Sequence, residues 1–287
     1  MKRTASLSAA AIAASMVIFG TIGLFRRWIP LPSDVLAFVR GILGSAFLML
    51  FLKLQGKKLD KEKIRPYRNR LVISGALIGI NWILLFEAYR YTTVAIATLC
   101  YYLQPVIVLM TAPLILHEKM TGRQLFCAAV AVCGMFLVAD TGSFAPGGNG
   151  LGILLGLGAA VLYAAVVLMN KTIIGVPAYE KTIVQLFSAA AVLIPYMLVN
   201  ESFRLYPLTA AEGIAVLITG IVHTGIAYAL YFGAVEHISA RSAAVMSYID
   251  PVTAVLLSAL FLHEPLSLRS AIGALLILGS ALLSEMI

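Results

Sequence analysis

The chain has 287 residues, 61% of them apolar and 12% charged, with a formal net charge of +8 and a mean hydropathy of +0.97. Soluble domains carry about a quarter charged residues, so this composition cannot cover a water-facing surface and points to a polytopic membrane protein. The basic excess does not indicate nucleic-acid binding, because most Lys and Arg fall in short segments between apolar runs, where such charge sets membrane orientation.

Ten apolar runs follow one another: Leu7 to Phe25, Val35 to Leu52, Leu71 to Tyr89, Thr93 to Leu116, Gly122 to Val138, Leu151 to Met169, Thr182 to Val199, Gly213 to Val235, Ser242 to Leu262 and Ala271 to Ile287. As helices at about 1.5 Å per residue, each spans the hydrocarbon core with some tilt. Barrel strands would alternate apolar and polar over about ten residues, which these unbroken runs exclude. The first run follows Met1-Lys2-Arg3 and has the look of a secretory leader, but its length and its counterpart later in the chain favour a retained span. With the N-terminus in the cytoplasm, inside segments hold fifteen Lys and Arg against five outside, among the latter Arg26, Arg27 and Arg90. That bias predicts a multi-pass protein of a bacterial cell membrane with both termini cytoplasmic.

The two halves of the chain resemble each other. A shift of 146 positions carries Tyr102 to Tyr248, Pro105 to Pro251, His117-Glu118 to His263-Glu264 and Arg123 to Arg269. Earlier positions match more weakly, Arg40 with Gln185 and Trp82 with Tyr228 among them. Five spans per half is an odd number, so the second half must enter the membrane from the opposite face. The expectation is an all-α membrane protein of ten transmembrane helices in two inverted five-helix repeats, residues 1–140 and 151–287, joined by a flexible stretch at 141–150. Inverted repeats allow two half-structures to exchange conformations, which is alternating access.

Ten spans in two halves, with LQPVIVLMTAPLILHEKMT at Leu103 to Thr121 and IDPVTAVLLSALFLHEPLS at Ile249 to Ser267, resemble the EamA-type branch of the drug/metabolite transporter superfamily. The similar pattern there is a Pro in helices four and nine followed by a Glu, matched by Pro105 with Glu118 and Pro251 with Glu264. The resemblance implies this fold and the transport of small metabolites, often outward. It does not name a substrate.

Charged groups at bilayer depth are costly and mark cavities or pathways. Arg40, Glu87 and Asp250 are the candidates, and Asp250 precedes Pro251, which can free carbonyls one turn back. Gln104-Pro105 repeats that construction in the first half. Arg40 suits a carboxylate, or else an ion pair with Glu87 or Asp250, or snorkelling to the headgroups. Glu87 lies near a rim, within reach of Arg90. Asn81, Trp82, Tyr101, Tyr102, His223, Tyr228 and Tyr248 complete the candidate binding set, with interhelical packing as the alternative for each. His223 could instead relay protons. Glu118 and Glu264 read as caps of the helices that follow them, and the GxxxG pairs Gly75/Gly79 and Gly152/Gly156 read as close helix contacts.

No P-loop motif occurs, so ATP is not the energy source within this chain, and a proton, ion or substrate gradient remains. His117-Glu118-Lys119-Met120-Thr121 lacks the second His of a zinc motif. Cys100, Cys127 and Cys133 lie in apolar runs without metal spacing. No cofactor is expected. The leading expectation is a secondary transporter of a small, amino-acid-like zwitterion, an exporter, acting as monomer or homodimer. An organic-cation extruder and, behind it, a membrane-embedded enzyme are the alternatives.

Overall fold

A computed structural model describes residues 2–115, 121–138, 149–235, 237, 246–264 and 266–286. His117, Glu118, most of the expected join at 141–150 and the start of the ninth run lie outside the described residues. All regular structure among the described residues is helical: α1 (Lys2–Gly20), α2 (Ile22–Trp28), α3 (Ser33–Leu54), α4 (Lys61–Ile64), α5 (Arg68–Tyr91), α6 (Val94–Tyr101), α7 (Gln104–Ile115), α8 (Gly122–Val138), α9 (Gly150–Lys171), α10 (Ala178–Val199), α11 (Ala210–Gly220), α12 (Ala227–Val235), α13 (Ile249–Phe261) and α14 (Leu268–Met286). Backbone groups in lipid must be satisfied within the segment, and helices do this. Among the described residues, seven stretches are long and apolar enough to cross a membrane, and Gly122–Val138, Ile249–Phe261 and Leu268–Leu283 are shorter apolar helices.

Among the described residues, several runs expected to be continuous are interrupted. The first breaks at Thr21, between α1 and α2; the fourth at Tyr102 and Leu103, between α6 and α7; and α11 passes into α12 through a π turn, Ile221–Ile226. Apolar periodicity cannot register such breaks, because the residues at them are themselves mostly apolar. Proline explains the second: Pro105 is the second residue of α7, where its missing N–H costs nothing, so the chain restarts a helix there. In the matched segment, Tyr248 caps α13 and Pro251 sits in its first turn.

Small residues set the packing. A Cβ on Gly75 would lie 2.5 Å from the Gln185 carbonyl oxygen, and one on Gly79 3.0 Å from that of Ala189, so α5 rides directly on α10. Gly152 and Gly156 bring α9 as close to Thr92 and Cys100, and Gly134 meets Gly273 between α8 and α14. The expected close-contact role of both GxxxG pairs is what the helices show. Gly220 and Gly225 both face α3, against Leu43 and Phe47. Five residues apart, they share a face because the π turn intervenes. On the loop before α5, Asp60 accepts from the Lys63 backbone N–H at 3.2 Å and pairs with its ammonium at 3.1 Å. Those hydrogen bonds hold its carboxyl below the usual range.

Candidate functional site

Arg40 lies two turns into α3 and is 4% exposed. Gly44, one turn on, lets Thr224 of the π turn approach so closely that a Cβ would meet its methyl at 2.4 Å. Thr224 Oγ1 accepts from Arg40 Nε at 3.1 Å, while its own hydroxyl donates to the Thr219 carbonyl. The guanidinium carbon sits 4.2 Å from the centre of the Trp82 ring and 5.2 Å from that of Phe86. The alternative of an ion pair with Glu87 or Asp250 is not what the structure shows: among the described residues no carboxylate lies within 4.0 Å of Arg40 and its two terminal nitrogens have no hydrogen-bond partner. Nor does the side chain snorkel, since it is buried among aromatic rings.

The matched position in the second half, Gln185, gives a contrast. Its amide nitrogen donates to Ser74 Oγ and to Asn170 Oδ1, each at 2.7 Å, so both hydrogens are used. Arg40 has donors left over where Gln185 has none.

Asp250 stands in the first turn of α13 and accepts from the Tyr102 hydroxyl at 2.5 Å. The pair joins the break after α6 to the start of α13. Gly20 makes room for this: a Cβ there would lie 2.6 Å from the Asp250 carbonyl oxygen. Tyr101 packs on Tyr102 and Tyr163, and Tyr228 on Phe19 and Phe232. Tyr101 and Tyr228 each lie within electrostatic range of both Arg40 and Asp250, so the two charges border one aromatic region. Gln104 and Pro105 open α7 half-buried beside it, Tyr248 is buried at the start of α13, and Pro251 is buried one turn further.

Other candidates sit elsewhere. Asn81, fully buried, donates to the Ala159 carbonyl at 2.6 Å and thereby ties α5 to α9. Glu87 accepts from Ser33 Oγ at 2.5 Å and from Arg90 at 3.1 Å, beside a cavity of about 280 Å³ that Asp34, Asn200 and Ser202 also line. That places Glu87 at the rim with Arg90. His223 uses both ring nitrogens, toward Thr21 and the Ile218 carbonyl, and leaves no free group for a substrate.

Two readings need correction. Arg26, counted with the outside segments, is 7% exposed in the last turn of α2, donating to the Ile29 carbonyl at 2.8 Å and to Ser33 at 3.1 Å. Glu264 does not cap the helix that follows it, because Ser267 does that by accepting from the Ser270 N–H at 3.1 Å. Glu264 instead accepts from the Val94 N–H at 2.8 Å, at the start of α6 and 170 positions away, takes a hydrogen bond from Ser258, and pairs with Arg27 at 2.8 Å. Arg27 also donates to the Thr92 carbonyl at 2.9 Å. Thr224, Thr21 and Tyr163 were invisible to the sequence reading, since a Thr or Tyr in an apolar helix carries no signal until its neighbour is known.

Among the described residues, long apolar helices and a buried guanidinium with no carboxylate within 4.0 Å define a polytopic helical membrane fold. The model of the EamA-like transporter family matches residues 6–139 and again 150–286, and the chain belongs to that family. An uncharacterized transporter of Bacillus subtilis (strain 168), YxxF, is 30% identical over 94% of this chain and 86% of its own length. Protein PecM of Dickeya dadantii (strain 3937) is 27% identical over 89% of this chain and 84% of its own. A protein of solved crystal structure shares the fold, with a TM-score of 0.68, 21% identity and 97% of both chains covered.

Proposed function

We propose that the chain is a secondary transporter of a small amino-acid-like zwitterion, held between Arg40 and Asp250 and moved by alternating access of two inverted five-helix halves. The observation that carries this reading is the Arg40 guanidinium, backed by Trp82, gripped at one edge by Thr224 and unclaimed at the other. That free edge fits two parallel hydrogen bonds to a carboxylate. A buried charge without a counter-ion is costly, and a ligand carboxylate supplies one. Asp250, with the tyrosines around it, offers the complementary site for an ammonium group.

Seven long and three shorter apolar helices are consistent with ten passes, and two successive matches of one family model support a duplicated unit. The positive-inside bias supports cytoplasmic termini and, with them, Glu264 on the outer face. In this reading Glu264 and Arg27 close the outer mouth, joining α2, α6 and the end of α13. A carrier of this kind is reversible, so outward flow follows when the metabolite accumulates inside. A phosphorylated substrate would need more buried cations than Arg40 supplies.

The test is thermal shift of the purified protein with each of the twenty protein amino acids and with tetraphenylphosphonium, followed by counterflow in proteoliposomes. Stabilisation and exchange of one or more amino acids, lost in both Arg40→Ala and Asp250→Asn, support the proposal. Transport indifferent to both substitutions refutes it. The aromatic wall beside Asp250 favours one second reading, an organic-cation extruder. Tetraphenylphosphonium transport that survives Arg40→Ala but not Asp250→Asn would select it.

A further inference from the structure

We propose that His223 is the proton-binding site that couples this carrier to a proton gradient, with the Thr21 hydroxyl as its switch. The inference rests on the transport reading above and adds the coupling ion to it.

His223 is 1% exposed, within the π turn, with its ring edge-on to Phe25 at 4.9 Å. Nδ1 lies 3.3 Å from the Ile218 carbonyl oxygen, which can only accept, so that nitrogen carries a hydrogen. Nε2 lies 2.7 Å from Thr21 Oγ1, and the same hydroxyl lies 2.7 Å from the Ile18 carbonyl. Thr21 has one hydrogen to give. With the imidazole neutral, Thr21 donates to Nε2. With the imidazole protonated, Nε2–H donates to Thr21 Oγ1, and the hydroxyl hydrogen turns to the Ile18 carbonyl. Every donor is satisfied in both states without movement of a heavy atom. A buried group that can be satisfied in one state only is held in that state by the cost of an orphaned donor or acceptor. Here neither state bears that cost, which is what reversible proton binding in a dry site requires.

The placement links the proton to the substrate. Thr21 is the break between α1 and α2, and Thr224, which follows His223, holds Arg40 Nε. Among the elements packed on the π turn, α3 brings Arg40 to bear on His223, and α1 ends one residue before Thr21 with no charge in its last turn. α2 carries Arg26 and Arg27, which bond to Ile29, Ser33, Thr92 and Glu264, α12 carries Tyr228, and the Glu212 carboxylate of α11 is committed to Thr209 at the far end of its helix. An imidazolium beside an empty Arg40 is repelled. A carboxylate seated on Arg40 cancels that repulsion, so substrate and proton favour each other's binding, and by linkage the effect is reciprocal. The two therefore move in the same direction.

The full chain is reconstituted in phosphatidylethanolamine/phosphatidylglycerol vesicles with a mixture of the twenty 14C-labelled protein amino acids as probe. Counterflow without a pH gradient is compared with net uptake driven by an acidic exterior. Wild type is expected to show both. His223→Gln should keep counterflow and lose gradient-driven accumulation by about tenfold or more, and Thr21→Val, which preserves side-chain shape, should reproduce the loss in part. The proposal is overturned if His223→Gln accumulates substrate like wild type, or if wild type exchanges amino acids yet ignores the pH gradient. Absence of counterflow in wild type would instead sink the zwitterion reading. The proton site then stands or falls on 15N histidine NMR, where the resonance missing from His223→Gln must titrate while the protein stays folded; one that never changes form overturns it.

Discussion

Glu264→Ala removes a carboxylate that holds three elements at once, and its effect can be worked out bond by bond. The Val94 N–H is the first orphan donor of α6 and loses its acceptor; a lost cap costs about 1 kcal/mol. The ion pair with Arg27, partly exposed on the arginine side, contributes about 0.5–1 kcal/mol. The Ser258 hydroxyl loses an anionic acceptor, for about 1 kcal/mol more. Because these bonds share one group, they do not simply add. A loss of about 2–3 kcal/mol in the closed arrangement is expected, roughly a 50-fold increase in local opening at about 1.4 kcal/mol per tenfold. Hydrogen exchange of the α6 amides reads this directly in detergent or nanodiscs. The Ile96 N–H is held by Thr93 Oγ1 at 3.1 Å, independently of Glu264, and is the internal control. Val94 should exchange about 50-fold faster with Ile96 nearly unchanged. If neither amide responds, Glu264 does not hold the helix start; if both accelerate equally, the mutation unfolds the whole region and Glu264 is no local cap of α6.

Arg40→Lys keeps the charge but loses the planar stack on Trp82 and the two-pronged edge, so apparent affinity in counterflow should fall at least about tenfold while thermal stability in the absence of substrate changes little. Tyr102→Phe removes the donor to Asp250 and should cost about 1–2 kcal/mol of stability. Adding Asp250→Asn to that background should cost less than it does alone, which a double-mutant cycle in thermal unfolding would show. Gly20→Val and Gly152→Val place a Cβ within 2.7 Å of the Asp250 backbone or of Thr92 and should destabilise by about 1–3 kcal/mol. Gly213→Ala, in α11 with no atom within 4 Å of the new Cβ, should instead stabilise by about 0.5–1 kcal/mol in the same assay.

Much of the helical frame was legible because lipid leaves the backbone so few options: the ends of α5, α9 and α10 fall within about four residues of the apolar runs, and helix-end assignments vary by a residue or two in any case. Long-range partners were not legible. Glu264 sits three residues before Ser267, which local spacing reads as a cap for α14, yet its bonds run to Val94 and Arg27 across the bundle. Arg26 was counted with the outside segments because the first apolar run ends at Phe25; an aromatic neighbour, Phe86 at 5.9 Å, and the acceptors Ile29 and Ser33 make its burial tolerable. Arg40, Tyr102 and Asp250 were picked out because polar groups in apolar helices are few. Their partners escaped because nothing in one helix's sequence says which residue faces it from another.

The interruptions of the helices bear on this more than any single residue does. Irregular backbone at membrane depth is tolerated only where it is buried in protein or lines a cavity, and here the breaks are bonded to one another. Thr21, at the break in the first span, meets His223 inside the π turn; Thr224 of that turn holds Arg40; Tyr102, at the second break, meets Asp250 at the start of α13. A helix end that shifts at one break must carry the group bonded to it at the next. In the proposed carrier, substrate charge on Arg40 or Asp250 would act on groups bonded directly to these interruptions, Thr224 in the π turn and Tyr102 after α6. That is the physical reason a carrier would keep its polar residues and its broken helices in the same place.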